Sequence, residues 1–254
     1  MINALLHKQP VALDRNDHRF VRLRLPITDW SVAARLNAVF LTAVECGDAA
    51  REYPIVFVKA GAGEDGKTEI APLAVLGMQA ESNLFVEGTT WRARYMPAVV
   101  RMYPFAIGRM ERLGPDRFAI CFDAACAALA GSEGEPMFTP EGEQSKLMTE
   151  IVGQLEKLEV EIQRTQNICR LLRDLDLLQE MRYDATLPDG SQLSLDGFLV
   201  IDEAKLNALA DDKVLELHKN GILGLIHAHY ISMGNIRKVL EWHAERHVTA
   251  PANA

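Results

Sequence analysis

MRYDATLPDGSQLSLDGFLVID, residues 181–202, decides the fold class. Two strand-like runs flank Pro188-Asp189-Gly190, the strongest turn signal in the chain, so the segment reads as an antiparallel β-hairpin. Its second run exits through Asp202, a natural cap for a following helix. Upstream, over residues 144–180, Ile151, Leu155, Leu158, Ile162, Thr165, Cys169 and Leu172 recur at alternating steps of three and four, the apolar seam of a long helix. A continuous helix of that length would measure on the order of 50 Å, more than one small domain spans, so a break or a protruding end is expected. The seam has two uses: packing on the chain's own sheet and C-terminal helices, or pairing with a second copy in a homodimer through the 144–180 helix. Downstream, residues 205–209 and 214–219 are short helical pieces, and residues 221–246 read as one terminal helix that Gly221, Gly224 and Gly234 weaken.

The first half reads as short strands and turns. Between residues 20 and 25, Phe20, Arg22 and Arg24 alternate with Val21, Leu23 and Leu25, the period of an edge strand. Val32, Leu36, Val39, Phe40 and Val44 fall near helical spacing, with Asp29 or Ser31 as cap, and predict a helix there. Pro54 introduces IVFV, a run short and β-branched enough for a central strand, and GAGEDGK turns the chain into EIAPLAVLGM to complete a hairpin. RFAICFD, residues 117–123, is a further strand. The glycine- and proline-rich loop after it, ending at Gly142, marks the boundary between a strand-rich lobe, residues 1–142, and a helical lobe with a β-hairpin, residues 143–254. Together these form one compact unit of the α+β class: antiparallel strands and hairpins first, then a long helix, a hairpin and a terminal helix.

Composition bounds the function. A net charge of -8 over 254 residues gives a mean field that repels phosphate backbones and anionic lipid, which excludes nucleic acid as a default partner. The N-terminus is interrupted by His7, Lys8, Pro10 and Asp14, unlike a signal peptide, and no run approaches the roughly 20 apolar residues of a membrane span. A cytoplasmic protein is expected. Cys46, Cys121, Cys126 and Cys169 lack any Cys-x-x-Cys spacing and read as reduced, buried thiols.

No chemical motif is complete. Residues 61–66, GAGEDG, match G-x-G-x-x-G after a strand, but no helix opens there and two carboxylates would repel a pyrophosphate. His227 and His229 differ by about 200° on a helix and cannot chelate one ion; His243 and His247 share a face without a third ligand, so no metal is expected. Ser132 in AGSEGEP lacks the glycine that a nucleophile elbow needs at position 130. Asp14, Asp17 and His18 form a small polar cluster before the first strand. No cofactor follows from any of these.

The tract NLFVEGTTWRARYMPAVVRMYPF, residues 83–105, resists dismissal. Residues 84–86 and 90–95 form a hairpin in which Trp91, Ala93 and Tyr95 share one face and Arg92 and Arg94 the other. Pro97 and Pro104 leave room for about two helical turns between them. Arginine beside tryptophan and tyrosine can stack and bind a carboxylate or phosphate in bidentate fashion, which makes Trp91, Arg92, Arg94, Tyr95, Arg101 and Tyr103 the candidate binding residues. The competing reading is an aromatic minicore with arginine stems packed over it.

The order YPIVF (53–57), LGM (76–78), NLFV (83–86), W-x-A-x-Y-x-P (91–97), RMYPF (101–105) and ICFD (120–123), continued by LDGFLVIDEAKLNAL and GILGLIHAHYISMGNI, resembles the bacterial SapC family over nearly the full length. Met102 stands where that family often has a second arginine. The resemblance implies a link to surface-protein or outer-membrane uptake systems, but brings no defined catalytic residues. The catalytic set therefore stays unassigned, and two readings stand. One is an accessory protein binding a protein or peptide partner. The other is a small-molecule enzyme acting on an anionic ligand in a pocket of Trp91, Arg94, Tyr95, Arg101 and Tyr103, with Asp123 or His18 as proton carrier.

Overall fold

The computed structural model describes residues 1–63, 65–109, 118–129, 132–187 and 190–249. Glu64 of the glycine-rich run, Arg117 at the start of the RFAICFD segment, Ala130 beside Ser132, the Pro188-Asp189 turn and the His247 side chain lie outside that description. The fold is α+β, with antiparallel sheets and several helices. Its residues group into two compact units.

The first unit takes in Met1–Arg35, Val86–Arg92 and Ala98–Val160. Its sheet has Phe118–Asp123 in the middle, flanked by Pro10–Ala12 and Phe105–Arg109, all antiparallel. The central position suits FAICFD, whose residues Cys121, Phe122 and Asp123 are buried. The strand expected over residues 20–25 shrinks to Arg22–Leu23, paired with Glu135–Pro136. The Val21 N–H is spent on a turn to the His18 carbonyl, and both Phe20 and Leu25 are exposed.

The second unit takes in Leu36–Phe85, Ala93–Pro97 and the chain from Glu161 onward. Its five-stranded antiparallel sheet runs in the order Leu178–Thr186, Gln192–Ile201, Ile55–Ala62, Thr68–Val75, Ala38–Phe40. IVFV is therefore central, as its continuous apolar character requires. The expected helix over residues 32 to 44 is replaced by a 3-10 turn at Ser31–Ala33, the strand Ala38–Phe40 and a second 3-10 turn at Ala43–Glu45. Val39 instead pairs with Ala74, and Thr42 opens a new turn whose capping box uses Glu45: the Thr42 N–H and Oγ1 both donate to Glu45 Oε2, at 2.9 and 2.7 Å. Apolar steps of three and four arose here from a strand followed by a 3-10 turn.

The long helix runs unbroken over Lys146–Asp174, about 43 Å at the usual rise. Its residues up to Val160 belong to the first unit and those from Glu161 to the second. All seven seam residues named above are buried within the chain, so this apolar stripe is already covered. The helix ends six residues earlier than the pattern suggested. Asp176 adopts φ 54°, the Leu177 N–H reaches back to the Leu172 carbonyl and the Asp176 N–H to that of Arg173, a Schellman termination sealed by the buried Leu172 and Leu177. The chain then enters the Leu178–Thr186 strand directly.

The hairpin forms as expected, and Asp202 caps the helix Glu203–Asn207 by accepting the Lys205 N–H at 3.1 Å. A bulge between Met181 and Tyr183 lies opposite Gly197, whose φ of 77° is the left-handed conformation such an irregularity demands. The single terminal helix is in fact two, Ile222–Ser232 and Asn235–Thr249, separated at Met233-Gly234.

Between Gln192–Ile201 and Ile55–Ala62 only Leu199 and Phe57 are ladder partners. Two residues on in the same register, where Ile201 faces Ile55, the helix Ile222–Ser232 takes over. The Ile201 N–H donates to His229 Nε2 at 3.2 Å, and His229 Nδ1 lies 2.8 Å from the Ile55 carbonyl. An N–H can only donate and a carbonyl only accept, so the ring is neutral, with its proton on Nδ1. Ser232 completes the bridge, accepting the Ile55 N–H at 3.0 Å and donating to the His229 carbonyl at 2.6 Å.

Burial lowers the His229 pKa to about 4, although its bond to the Ile55 carbonyl opposes this. A group held neutral in this way contributes stability that is fully present above the unfolded value near 6.5 and is lost as pH falls toward about 4. Urea unfolding should weaken by on the order of 3 kcal/mol across that window. In His229→Leu that part of the pH slope disappears, while neutral-pH stability drops by about 2–4 kcal/mol because the Ile55 carbonyl and Ile201 amide lose their partner.

Candidate functional site

The 83–105 tract is shared between the units, and each part has its own anchoring. In the second unit, buried Asn83 turns the chain by accepting the Phe85 N–H at 2.8 Å. Phe85 packs against Tyr53 and Trp242, with ring centroids 4.6 and 5.2 Å away. The Lys238 ammonium stands 5.5 Å from the Phe85 ring and 5.4 Å from that of Trp242, and donates to the Glu52 carbonyl at 2.7 Å. The Ala93–Pro97 segment is stapled down at three points. The Tyr53 hydroxyl donates to the Tyr95 carbonyl, the Tyr95 hydroxyl to Glu45 Oε1 at 2.7 Å, and the Arg94 N–H to Glu52 Oε1 at 3.3 Å. Glu45 is thus held by both its capping turn and Tyr95.

In the first unit the expected hairpin contracts to Val86–Glu87 paired with Thr90–Trp91. Trp91 is 8% exposed, and Arg92 Nε lies 3.6 Å from Glu87 Oε2. The two-turn helix between the prolines is a single turn, Ala98–Arg101. Beyond it lies a buried polar cluster. The Tyr103 hydroxyl donates to Asp123 Oδ2 at 3.1 Å, while Asp123 Oδ1 accepts the Gln9 and Ala125 N–H groups at 2.7 and 3.1 Å. The His7 ring sits 5.9 Å from that of Tyr103, with a buried Nε2 that has no hydrogen-bond partner among the described residues.

Electrostatics assigns the cluster its roles. Desolvation pushes the Asp123 carboxyl up, but N–H donors from Gln9, Ala125 and Lys8 and the Tyr103 hydroxyl together outweigh it and hold the group below the usual carboxylate range. Burial, with Cys126 and Asp123 alongside, raises Tyr103 well above an ordinary phenol. Burial also depresses His7. A carboxylate clamped in its ionised form beside a phenol that keeps its proton makes a structural hydrogen bond, at 3.1 Å longer than the shortest charge-assisted ones. Proton carriage at neutral pH would need these groups poised near 7. His18 is differently placed: its Nδ1 accepts the Asp14 N–H at 2.9 Å and its ring meets Phe122 edge-on at 4.9 Å, while Asp14 caps its own loop through Asn16 and Asp17.

The six candidate residues therefore divide by chemistry. Trp91 and Tyr103 are buried and Tyr95 half-buried, each tied into its own unit, whereas Arg92, Arg94 and Arg101 are exposed. A cavity of about 80 Å³ in the first unit is lined by Arg24, Asp29, Tyr103 and Cys126, among others. Composition offered no signal for the contributions of His7, Glu45 or Glu52, which depend on tertiary pairing. Residues 61–63, 65 and 66 lie at the end of the Ile55–Ala62 and Thr68–Val75 hairpin, and the chain continues from there into a strand rather than a helix. All four cysteines are free and buried, and burial pushes the Cys46 and Cys169 thiols up to about 12.

A family model described as SapC matches residues 13–239. No curated protein and no solved structure matches the chain.

Tyr103→Phe should cost about 1.5–3 kcal/mol in urea unfolding, the range for a hydrogen bond to a charged group, and should raise the Asp123 pKa in carboxyl NMR. Unchanged values in both measurements would mean that the pair is not formed in solution.

Proposed function

The chain belongs to the SapC family, and we propose that it is a cytoplasmic accessory protein that binds an acidic protein or peptide partner in a surface-protein or outer-membrane uptake system. The observation that carries this reading is the split within the 83–105 tract. Its aromatic rings are consumed internally, while Arg92 and Arg101 on the first unit and Arg94 on the second are exposed residues. In a chain of net charge -8, exposed arginines are suited to carboxylates on another molecule. The link to an uptake system rests on the family alone.

The enzyme reading is favoured by one observation, the buried Tyr103–Asp123 pair, whose Tyr103 lines the 80 Å³ cavity. Small-molecule sites usually occupy about 300–1,000 Å³, so this space suits a few waters better than an anionic substrate. Partner binding is the better supported of the two.

Affinity capture from native lysate with chemical crosslinking tests the proposal. Arg94→Ala and Arg101→Ala should each weaken recovery of the captured partner at least about tenfold, the effect of losing one well-made arginine contact. An identical partner set and yield from the combined variant would count decisively against the arginine surface.

A further inference from the structure

The strand Leu178–Thr186 is the outermost of its sheet, so its outer row of N–H and C=O groups has no strand partner among the described residues. Such an edge is a template for another strand unless something blunts it. Proline and lysine, frequent guards, are both absent from LQEMRYDAT. Met181 is exposed at the midpoint, and the paired strand offers only partly covered Leu193 and Leu195 behind it.

What distinguishes this edge is the order of its charges. Glu180, Arg182 and Asp184 alternate with Met181, Tyr183 and Ala185. Two identical strands related by a twofold axis across a shared edge run antiparallel, and their pairing is centred on one residue, because backbone groups point outward only at alternate positions. Centred on Arg182, the strand would set Arg182 against itself and Glu180 against Asp184 of the other copy, an all-repulsive register. Centred on Asp184, it would oppose two aspartates. Centred on Tyr183, it sets Arg182 opposite Asp184 twice, Met181 opposite Ala185 twice and the two Tyr183 rings beside each other. Centred on Met181, it would set Glu180 opposite Arg182 twice, but it would also put apolar Leu178 against Asp184, and Glu180 is already engaged by Lys59 of its own sheet at 2.5 Å. The Tyr183-centred register is the better matched of the two complementary ones.

We propose that this chain self-associates by joining the edge strands of two copies in the Tyr183-centred register, giving a continuous ten-stranded sheet. The donors are already in place. Arg182 contacts Asp184 of its own strand through Nε, at 2.9 and 3.1 Å, while its two terminal nitrogens carry no bond among the described residues. They are available for Asp184 of the second copy, whose Oδ1 is steadied by Ser194 Oγ at 2.6 Å. The interface is small and built largely on backbone bonds, so the dimer is weak and concentration-dependent. It is separate from the arginine surface proposed above and stands or falls without it.

Sedimentation velocity on the full chain, up to hundreds of micromolar, should show a reversible monomer–dimer equilibrium. Arg182→Asp and Asp184→Arg each place like charges across the axis and should each shift the dissociation constant upward at least tenfold, whereas the double reversal should restore it. Circular dichroism checks that each variant stays folded. As a second readout that alters no charge, Tyr183→Cys should form a disulfide-linked dimer under mild oxidation, because opposed residues in an antiparallel pair stand about 4.5–5.5 Å apart at Cα, within disulfide reach. Glu180→Cys, displaced from the axis, should not. A wild-type chain that stays monomeric, a dimer indifferent to both single reversals, or equal crosslinking at 180 and 183 would overturn the proposal.

Discussion

The imidazole of His229, lodged between the Ile55 carbonyl and the Ile201 amide, is the interaction on which the second unit depends. Its five-stranded sheet consists of two hairpins, one of them extended by Ala38–Phe40, joined by one ladder pair, Leu199 with Phe57. Buried backbone groups beyond that pair still need partners. The helix Ile222–Ser232 provides them with two side chains one turn apart, so that His229 and Ser232 act as an inserted piece of ladder. Removing the bridge would leave the two strands joined by the Leu199–Phe57 pair alone and strip the helix of its hydrogen bonds to Ile55 and Ile201.

This arrangement fixes where the unit is firm and where it is open. Firmness concentrates at the bridged end, where Ile55, Phe57, Leu199, Val200 and Ile201 are all buried. Past the bulge opposite Gly197 the Leu178–Thr186 and Gln192–Ile201 hairpin is held by its own cross-strand pairs, with most residues exposed or half-covered. An isolated two-stranded ribbon is marginal in water, which gives its free edge a reason to be covered. Within the tract shared by the units, the same economy applies on a smaller scale. Tyr95, Tyr103 and Trp91 are committed to internal bonds or burial, and Arg92, Arg94 and Arg101 are among the residues the tract leaves exposed.

Much of this was legible in the residues, where the signal was local. IVFV and FAICFD became strands because β-branched and aromatic side chains dominate them, Asp202 became a helix cap, and the 146–174 helix followed its seam. Legibility failed where two structures share one spacing. The run from Val32 to Val44 carries helical steps, yet strand pairing of Val39 and the Thr42–Glu45 capping turn decided its conformation. Asp176 stopped the long helix in a left-handed conformation usually signalled by glycine. The Trp91, Ala93, Tyr95 alternation read as one strand, but the chain leaves the first unit after Arg92 and the Arg94 amide turns to Glu52. The His229 bridge joins residues 174 positions apart, and no window of sequence holds both ends. The candidate arginines were visible from the start; their exposure required the fold.

Nitrogen-15 NMR of the imidazole side chains is the most direct test of the central bridge. His229 should display the neutral Nδ1–H tautomer, with Nε2 as acceptor from the Ile201 amide, and should keep it at pH 5, titrating only near its depressed value of about 4. An imidazole at position 229 that titrates near 6.5, or that carries its proton on Nε2 at neutral pH, would contradict the bridge and the attachment of the hairpin that depends on it.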